Sequence, residues 1–169
     1  PSHKHRIAFP KTLRITLTPY QKTMFLKLLF ALMTSASLLA AAPLVYEGTG
    51  GPGKGIHIVF IANDHEYRSE ETCPLIAKIL AKHHGFKCTV LFGMDESGHI
   101  KGGGTPIPNI DVLKEADLLF FYTRFMKLPD DQADALVAYF ERGGPTIGLR
   151  TSTHCFNGQK GCLLYTSPS

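Results

Sequence analysis

Three short segments gather most of the chemistry this chain can offer. Each directly follows an apolar run: Asn63-Asp64-His65-Glu66-Tyr67-Arg68, then Thr123-Arg124-Phe125, then Arg150-Thr151-Ser152-Thr153-His154. Together they supply two carboxylates, two imidazoles, three guanidinium groups, a phenol and several hydroxyls. His154 suits proton transfer, because an unperturbed imidazole changes charge near about pH 6.5. Asp64 or Glu66 would orient that ring or a substrate hydroxyl. Arg124 and Arg150 follow or end apolar strands, where an unpaired guanidinium is costly. Each is therefore expected to meet a carboxylate, from Asp64, from Glu66 or from a ligand. The expected catalytic set is His154, Asp64 and Glu66. The expected substrate-binding set is His65, Tyr67, Arg68, Arg124, Arg150, Thr151 and Thr153.

Each of these side chains also has a plain structural reading. Asp64 can cap a turn, and Glu66 with Arg68 can be a solvated ion pair of little energetic worth. His57 lies inside a strand and His83-His84 at a helix end, so all three are expected to be structural. Cys155 falls about a turn beyond Arg150-Thr151-Ser152, a strand-to-helix turn of the kind that carries nucleophiles in α/β enzymes. No Gly-x-Cys-x-Gly surrounds it, and a buried, inert thiol is the favoured reading. His65, Glu66 and His154 are metal-ligand types, but spacing alone does not bring them together, so no metal is expected. No cofactor is expected either. Gly102-Gly103-Gly104 reads as a flexible turn. A phosphate cradle would need a helix at once and a Gly-Lys-Ser/Thr.

The elements that must position these segments alternate between strand and helix. Ile56 to Ala62 is a nearly continuous apolar run of strand length, as expected where both faces are covered. Ser69 offers a helix cap, with Glu70 and Glu71 in the first turn and Pro74 tolerated early in the helix. Leu75, Ile76, Ile79 and Leu80 recur at helical spacing until Gly85 stops the helix. Phe86 to Phe92 is a second strand. A long loop follows, with a small hairpin around Asp95-Glu96-Ser97-Gly98, then a short helix over 110–115. Asp117 to Tyr122 is the third strand. Pro129 starts a helix whose Ala133, Leu136, Val137 and Phe140 form one stripe. Gly143-Gly144-Pro145 ends it before a fourth strand, Thr146 to Leu149. This order predicts an α/β fold: an open parallel sheet with helices on both faces, flavodoxin-like, in which ligands bind beyond the carboxyl ends of the strands.

The two ends of the chain read differently. Residues 1–42 hold six basic residues and no acid, leaving twelve basic against fourteen acidic residues in 43–169. The formal charge of +4 thus belongs to the leader, and nucleic-acid binding by the folded part is not expected. Met24 opens a short start with Lys27, an apolar stretch from Leu28 to Leu39 and small residues at Ala40-Ala41-Ala42, the layout of a secretory signal peptide. A membrane anchor over 28–45 is the alternative, marginal in length for a span of about 20 apolar residues. Residues 1–23 are expected to be an upstream frame that is not translated, 43–55 a linker, 56–157 the folded domain and 158–169 an artefactual tail. The domain is expected to be incomplete at its C-terminus. The four cysteines show no C-x-x-C spacing, so neither a zinc ribbon nor a redox dithiol is expected. Mean hydropathy is +0.01, which excludes a multi-span membrane protein.

The blocks IHIVFIANDHEYRSEE, LAKHHGFKCTVLF, ADLLFFYTRFMKLPDDQ and GGPTIGLRTSTHCFN resemble the ThuA-like family, named for trehalose utilisation, within the class I glutamine amidotransferase-like fold. The likeness runs from Ile56 to Asn157 and is strongest to a secreted bacterial branch whose strand-end motif reads Gly-Leu-Arg-Thr-x-Thr-His. It implies a role in handling sugars or sugar derivatives; together with the signal peptide and the polar rim, the expectation is an exported, hydrolase-like protein acting on or binding a small sugar-like ligand. Membrane contact would come only through the signal segment. The sequence assigns no oligomeric state. Glutaminases of the wider fold place a Cys at the strand-to-helix turn, where this chain has Arg150-Thr151, so glutaminase activity is not implied. Other ThuA-like proteins often have Gly-x-His there, against Gly148-Leu149-Arg150 here. The alternative is a non-catalytic ligand-binding or interaction domain that kept the fold without the chemistry.

Overall fold

The chain divides into two compact units, residues 1–39 and 40–169. The computed structural model describes residues 42–156 of the second unit and, in the first, Thr18 and Tyr20. Apart from those two and Ala42, the expected upstream frame, leader and tail lie outside the described residues, as does Asn157. Among the described residues, no helix is long and apolar enough to cross a membrane.

The described elements are β1 (Leu44–Tyr46), β2 (His57–Asn63), α1 (Ser69–His84), β3 (Lys87–Phe92), a 3-10 turn (Ile110–Glu115), β4 (Leu118–Thr123), α2 (Asp130–Glu141), β5 (Thr146–Gly148) and a second 3-10 turn (Arg150–His154). They form a five-stranded sheet in the order β1-β3-β2-β4-β5. β3, β2, β4 and β5 are parallel neighbours, with Phe60 of β2 opposite Val90 on one side and Phe120 on the other. β1 pairs antiparallel with β3, Leu44 opposite Val90. The sheet is therefore mixed, which corrects the all-parallel expectation, and residues 44–46 are not linker. Three residues show too little alternation to read as a strand, yet they cover the edge that β3 would otherwise present.

Two apolar layers sandwich the sheet. Ile58, Phe60, Ala62, Val90 and Phe120 pack with Cys73, Ala77 and Ala81 of α1. Val59, Ile61, Leu91, Leu119 and Phe121 pack on the opposite face with Leu113 of the first 3-10 turn and Leu136 and Tyr139 of α2. Val59, Phe60, Ile61 and Leu119 are wholly removed from solvent, each such side chain contributing about 1.5–3 kcal/mol. Parallel strands buried on both faces account for the unbroken apolar runs in sequence.

α1 departs from the expected stripe. Its buried residues are Ser69, Cys73, Ala77 and Ala81, whereas Leu75 and Ile79 are 60% and 45% exposed. Small residues at i, i+4 and i+8 face the sheet, with Ile76 and Leu80 flanking them. Ser69 is not the cap: Arg68 holds that position at φ 51° and makes no side-chain capping bond. Pro74 is the sixth residue of the helix, where it removes the donor that would meet the Glu70 carbonyl. Gly85 ends α1 as expected, at φ 82° with its N–H donating to the Ala81 carbonyl at 3.1 Å. In α2 the innermost residues are Leu136 and Tyr139, with Ala133 and Phe140 at the margin. The Tyr139 hydroxyl donates to the Pro145 carbonyl at 2.6 Å, which lets an aromatic phenol replace an aliphatic in the stripe.

His57 is structural, as expected. Its Nε2 lies 2.8 Å from Thr89 Oγ1, and burial, with Lys87 adding, holds its pKa below the ordinary value. The small hairpin also forms, with Met94 bridged antiparallel to Ile100.

Candidate functional site

The carboxyl ends of β2, β4 and β5 bring the three polar segments to one rim. β2 ends at Asn63 and β4 at Thr123, opposite each other in register, and the second 3-10 turn begins two residues after β5. Backbone bonds join the segments directly. Arg124 N–H donates to the Asn63 carbonyl at 3.3 Å, Phe125 N–H to the His154 carbonyl at 2.8 Å and Met126 N–H to the Cys155 carbonyl at 2.7 Å.

Asp64 is the fastener beneath this rim. It is fully buried, and its Oδ1 accepts the N–H groups of Glu66 at 2.7 Å and Tyr67 at 2.8 Å. Its Oδ2 accepts the hydroxyl of Thr151, 87 residues further along the chain. Its own N–H donates to Ser69 Oγ at 2.7 Å, which explains why Ser69 is turned away from the helix end. Both carboxylate oxygens are thus engaged, and neither bonds to His154. Asp64 therefore takes the turn-capping reading, and Thr151 holds Asp64 rather than projecting from the rim.

The exposed layer is arranged differently. Glu66 and Arg124 form an ion pair, both partly open to solvent. This meets the expectation that Arg124 finds a carboxylate. Arg68 pairs with Glu71 and not with Glu66, because the cap position and the first turn of α1 set the two three residues apart on one side; the pair is highly exposed and adds little stability. Among the described residues, Arg150 meets no carboxylate. Its guanidinium lies over the Tyr67 ring, 4.4 Å from the centroid, so a ring face replaces the expected anion. His154 is exposed, with Nδ1 2.9 Å from Thr153 Oγ1.

Phe125 stands at the middle of this layer. It is 44% exposed and adopts φ 49°, a conformation that a bulky side chain seldom takes. The Arg124 guanidinium lies over its ring at 4.8 Å, and the His65 and His154 rings sit 6.4 Å and 6.1 Å away. Arg68 and Arg150 also have positive φ, so each rim segment carries one strained residue. Phe125 was not among the expected site residues. The available signal was a large aromatic two residues past a strand end and directly after an arginine.

Gly102-Gly103-Gly104 forms a turn, as expected, and the turn is packed closely against the end of β2. A Cβ at Gly102 would lie 2.7 Å from the Asp64 carbonyl oxygen and 2.9 Å from the His65 Cα. The Gly104 carbonyl accepts Asn63 Nδ2–H at 3.0 Å. The missing side chains let this loop rest on the end of β2. Two buried oxygens at that level, Asn63 Oδ1 and Thr123 Oγ1, have no partner among the described protein atoms.

Neither a protein-family model, nor a curated protein, nor a solved structure matches the chain. The geometry alone sets what the rim can do. Among the described residues, no group of three or more His, Cys, Asp or Glu side chains is placed to hold a metal ion. His65, Glu66 and His154 are thus not gathered as ligands. Cys155 is buried, as expected, and among the described residues Cys73, Cys88 and Cys155 form no disulfide with one another. Burial pushes the Cys73 thiol up to about 12 and the Cys88 thiol up to about 11, so both stay protonated. Burial, with the Asp64 carboxylate adding, also raises the Tyr122 phenol above its ordinary value. Beside β5 a cavity of about 590 Å³ is lined by Phe121, Phe140, Thr146, Arg150, Ser152 and Thr153 among others. Arg150 and Thr153 therefore face this cavity, while Glu66, Arg124, Phe125 and His154 form the open rim.

Proposed function

We propose that this chain is an exported ThuA-like protein of the class I glutamine amidotransferase-like, flavodoxin-like fold, and that it binds a sugar or sugar derivative at its strand-end rim. The leader from Met24 supplies the export signal. The carrying observation is the Glu66–Arg124 pair beside two imidazoles, all open to solvent at the carboxyl ends of parallel strands. A carboxylate and a guanidinium side by side offer an acceptor and donors to neighbouring hydroxyls, and charged groups make such bonds strong. Titration calorimetry of the full chain with a panel of mono- and disaccharides tests this reading. Saturable binding is expected for at least one sugar. Arg124→Ala, which removes the donors and leaves Glu66 unpaired, should weaken that binding by about tenfold or more. Absence of saturable binding across the panel overturns the proposal.

One observation favours a catalytic, hydrolase-like version of the same site. Thr153 engages Nδ1 of the exposed His154, so that Nε2 is the nitrogen left to exchange a proton with a ligand. Turnover of a bound glycoside that disappears in His154→Ala, with binding kept, is the expected result. Binding without product in the unaltered chain leaves the non-catalytic ligand-binding reading. Glutaminase chemistry is not part of the proposal: Cys155 is buried and lies beyond the turn at which such a nucleophile would stand.

A further inference from the structure

We propose that Phe125 is the platform on which a ligand ring stacks, and that it makes the rim selective for cyclic sugars over open-chain polyols carrying similar hydroxyls. The inference rests on the sugar-binding reading above and adds the contact that would choose among sugars. Phe125 closes no part of the core: it is 44% exposed, whereas Met126 after it and Thr123 two residues before it are fully buried. It is nevertheless held in one place. Its N–H is tied to the His154 carbonyl at 2.8 Å, its backbone takes φ 49°, and the guanidinium of Arg124 lies 4.8 Å from its ring centre. An exposed aromatic on a strained, pinned backbone is an arrangement that calls for a functional account.

The neighbours define what would fit. Glu66, joined to Arg124, offers carboxylate oxygens, and Arg124 offers N–H donors beside the ring. His65 and His154 flank the same ring at 6.4 Å and 6.1 Å, the latter edge-on at 78°. A ligand that meets all of these must have one apolar face and a hydroxylated edge. A pyranose has both, because its ring C–H groups share a face while its hydroxyls project around the rim. An open-chain alditol has the hydroxyls but no stable face to lay on the phenyl ring. Arg124 would then serve twice, as hydroxyl donor and as the cation that fixes the ring's plane.

The test uses the full chain, methyl glucopyranoside and methyl galactopyranoside as ring probes, and glucitol as the open-chain control. Proton NMR titrations are expected to show at least one glycoside bound, with its ring C–H signals moved upfield by the phenyl ring, and glucitol bound at least tenfold more weakly. Phe125→Gly, which suits the positive φ, should keep the thermal transition while lowering glycoside affinity about tenfold and removing the upfield shift. Phe125→Trp should retain both, and Phe125→Leu keeps bulk without the π face if the glycine variant folds poorly. A merely structural ring would instead lower the transition and leave affinity and shifts alone. Glycoside binding that is equal in Phe125→Gly or Phe125→Leu and in the unaltered chain overturns the platform while sparing the sugar reading. No binding of either glycoside to the unaltered chain overturns the platform too, and a wider saccharide panel then decides the sugar reading separately.

Discussion

Beneath the strand ends, Asp64 is fully buried and both of its oxygens are taken by the chain itself, while Glu66, two residues later, stands partly in solvent with Arg124. The two carboxylates have the same chemistry and almost the same place in sequence. Their surroundings separate them. The lower layer spends its polar groups on joining β2 to the second 3-10 turn, and the upper layer keeps its polar groups where a ligand can reach them. A polar cluster at a strand end is thus two structures, one that holds the loops and one that those loops display.

The contrast can be broken most directly at Asp64. Asp64→Ala would strand two backbone N–H groups and the Thr151 hydroxyl, and is expected to cost about 3 kcal/mol of stability in urea unfolding. A cost below about 1 kcal/mol would remove the fastening role, by the same reckoning. Thr151→Val cuts only the long-range strut and should cost about 1–2 kcal/mol. In the upper layer Glu66→Gln should change stability by no more than about 1 kcal/mol while weakening sugar binding, which calorimetry and thermal melts would separate. Equal losses in both measurements would place Glu66 with Asp64.

A pH series sharpens the same distinction. Burial lowers the pKa of His57, so the folded state resists the proton that the unfolded chain accepts. Stability from this group is complete above about pH 6.5 and is lost as pH falls from there through the folded pKa. Thermal melts between pH 8 and 4 should show that fall, and His57→Gln should flatten it. An unchanged slope in the variant would assign the acid sensitivity elsewhere. The smallest effect is expected at Thr123, whose buried hydroxyl has no partner among the described protein atoms. Thr123→Val should therefore be neutral within about 0.5 kcal/mol or slightly stabilising, since no bond is lost with the hydroxyl.

The strands were legible because parallel strands covered on both faces leave continuous apolar runs, as in 57–63 and 118–123. The α1 face was not, because the alanines and Cys73 that touch the sheet carry a weaker hydropathy signal than the exposed Leu75 and Ile79. β1 is too short to show a period. At the site, the clustering of the three segments followed from the alternation of strand and helix, which sends the carboxyl ends of parallel strands to one side, and the pairing of Arg124 with a carboxylate followed from the cost of leaving it alone. The division of labour between Asp64 and Glu66 did not follow, because Asp64's partner Thr151 is 87 positions away and no local pattern encodes that contact. Phe125 was hidden for a related reason: an aromatic after a strand reads as the end of a core run until its exposure is known.

The glycine loop has a consequence for how the rim can vary. Gly102 sits where a methyl group would press on the Asp64 carbonyl and the His65 Cα. A stretch without side chains therefore governs the outline of the rim, and a single added carbon at Gly102 would press on His65 while every side chain of the rim kept its identity.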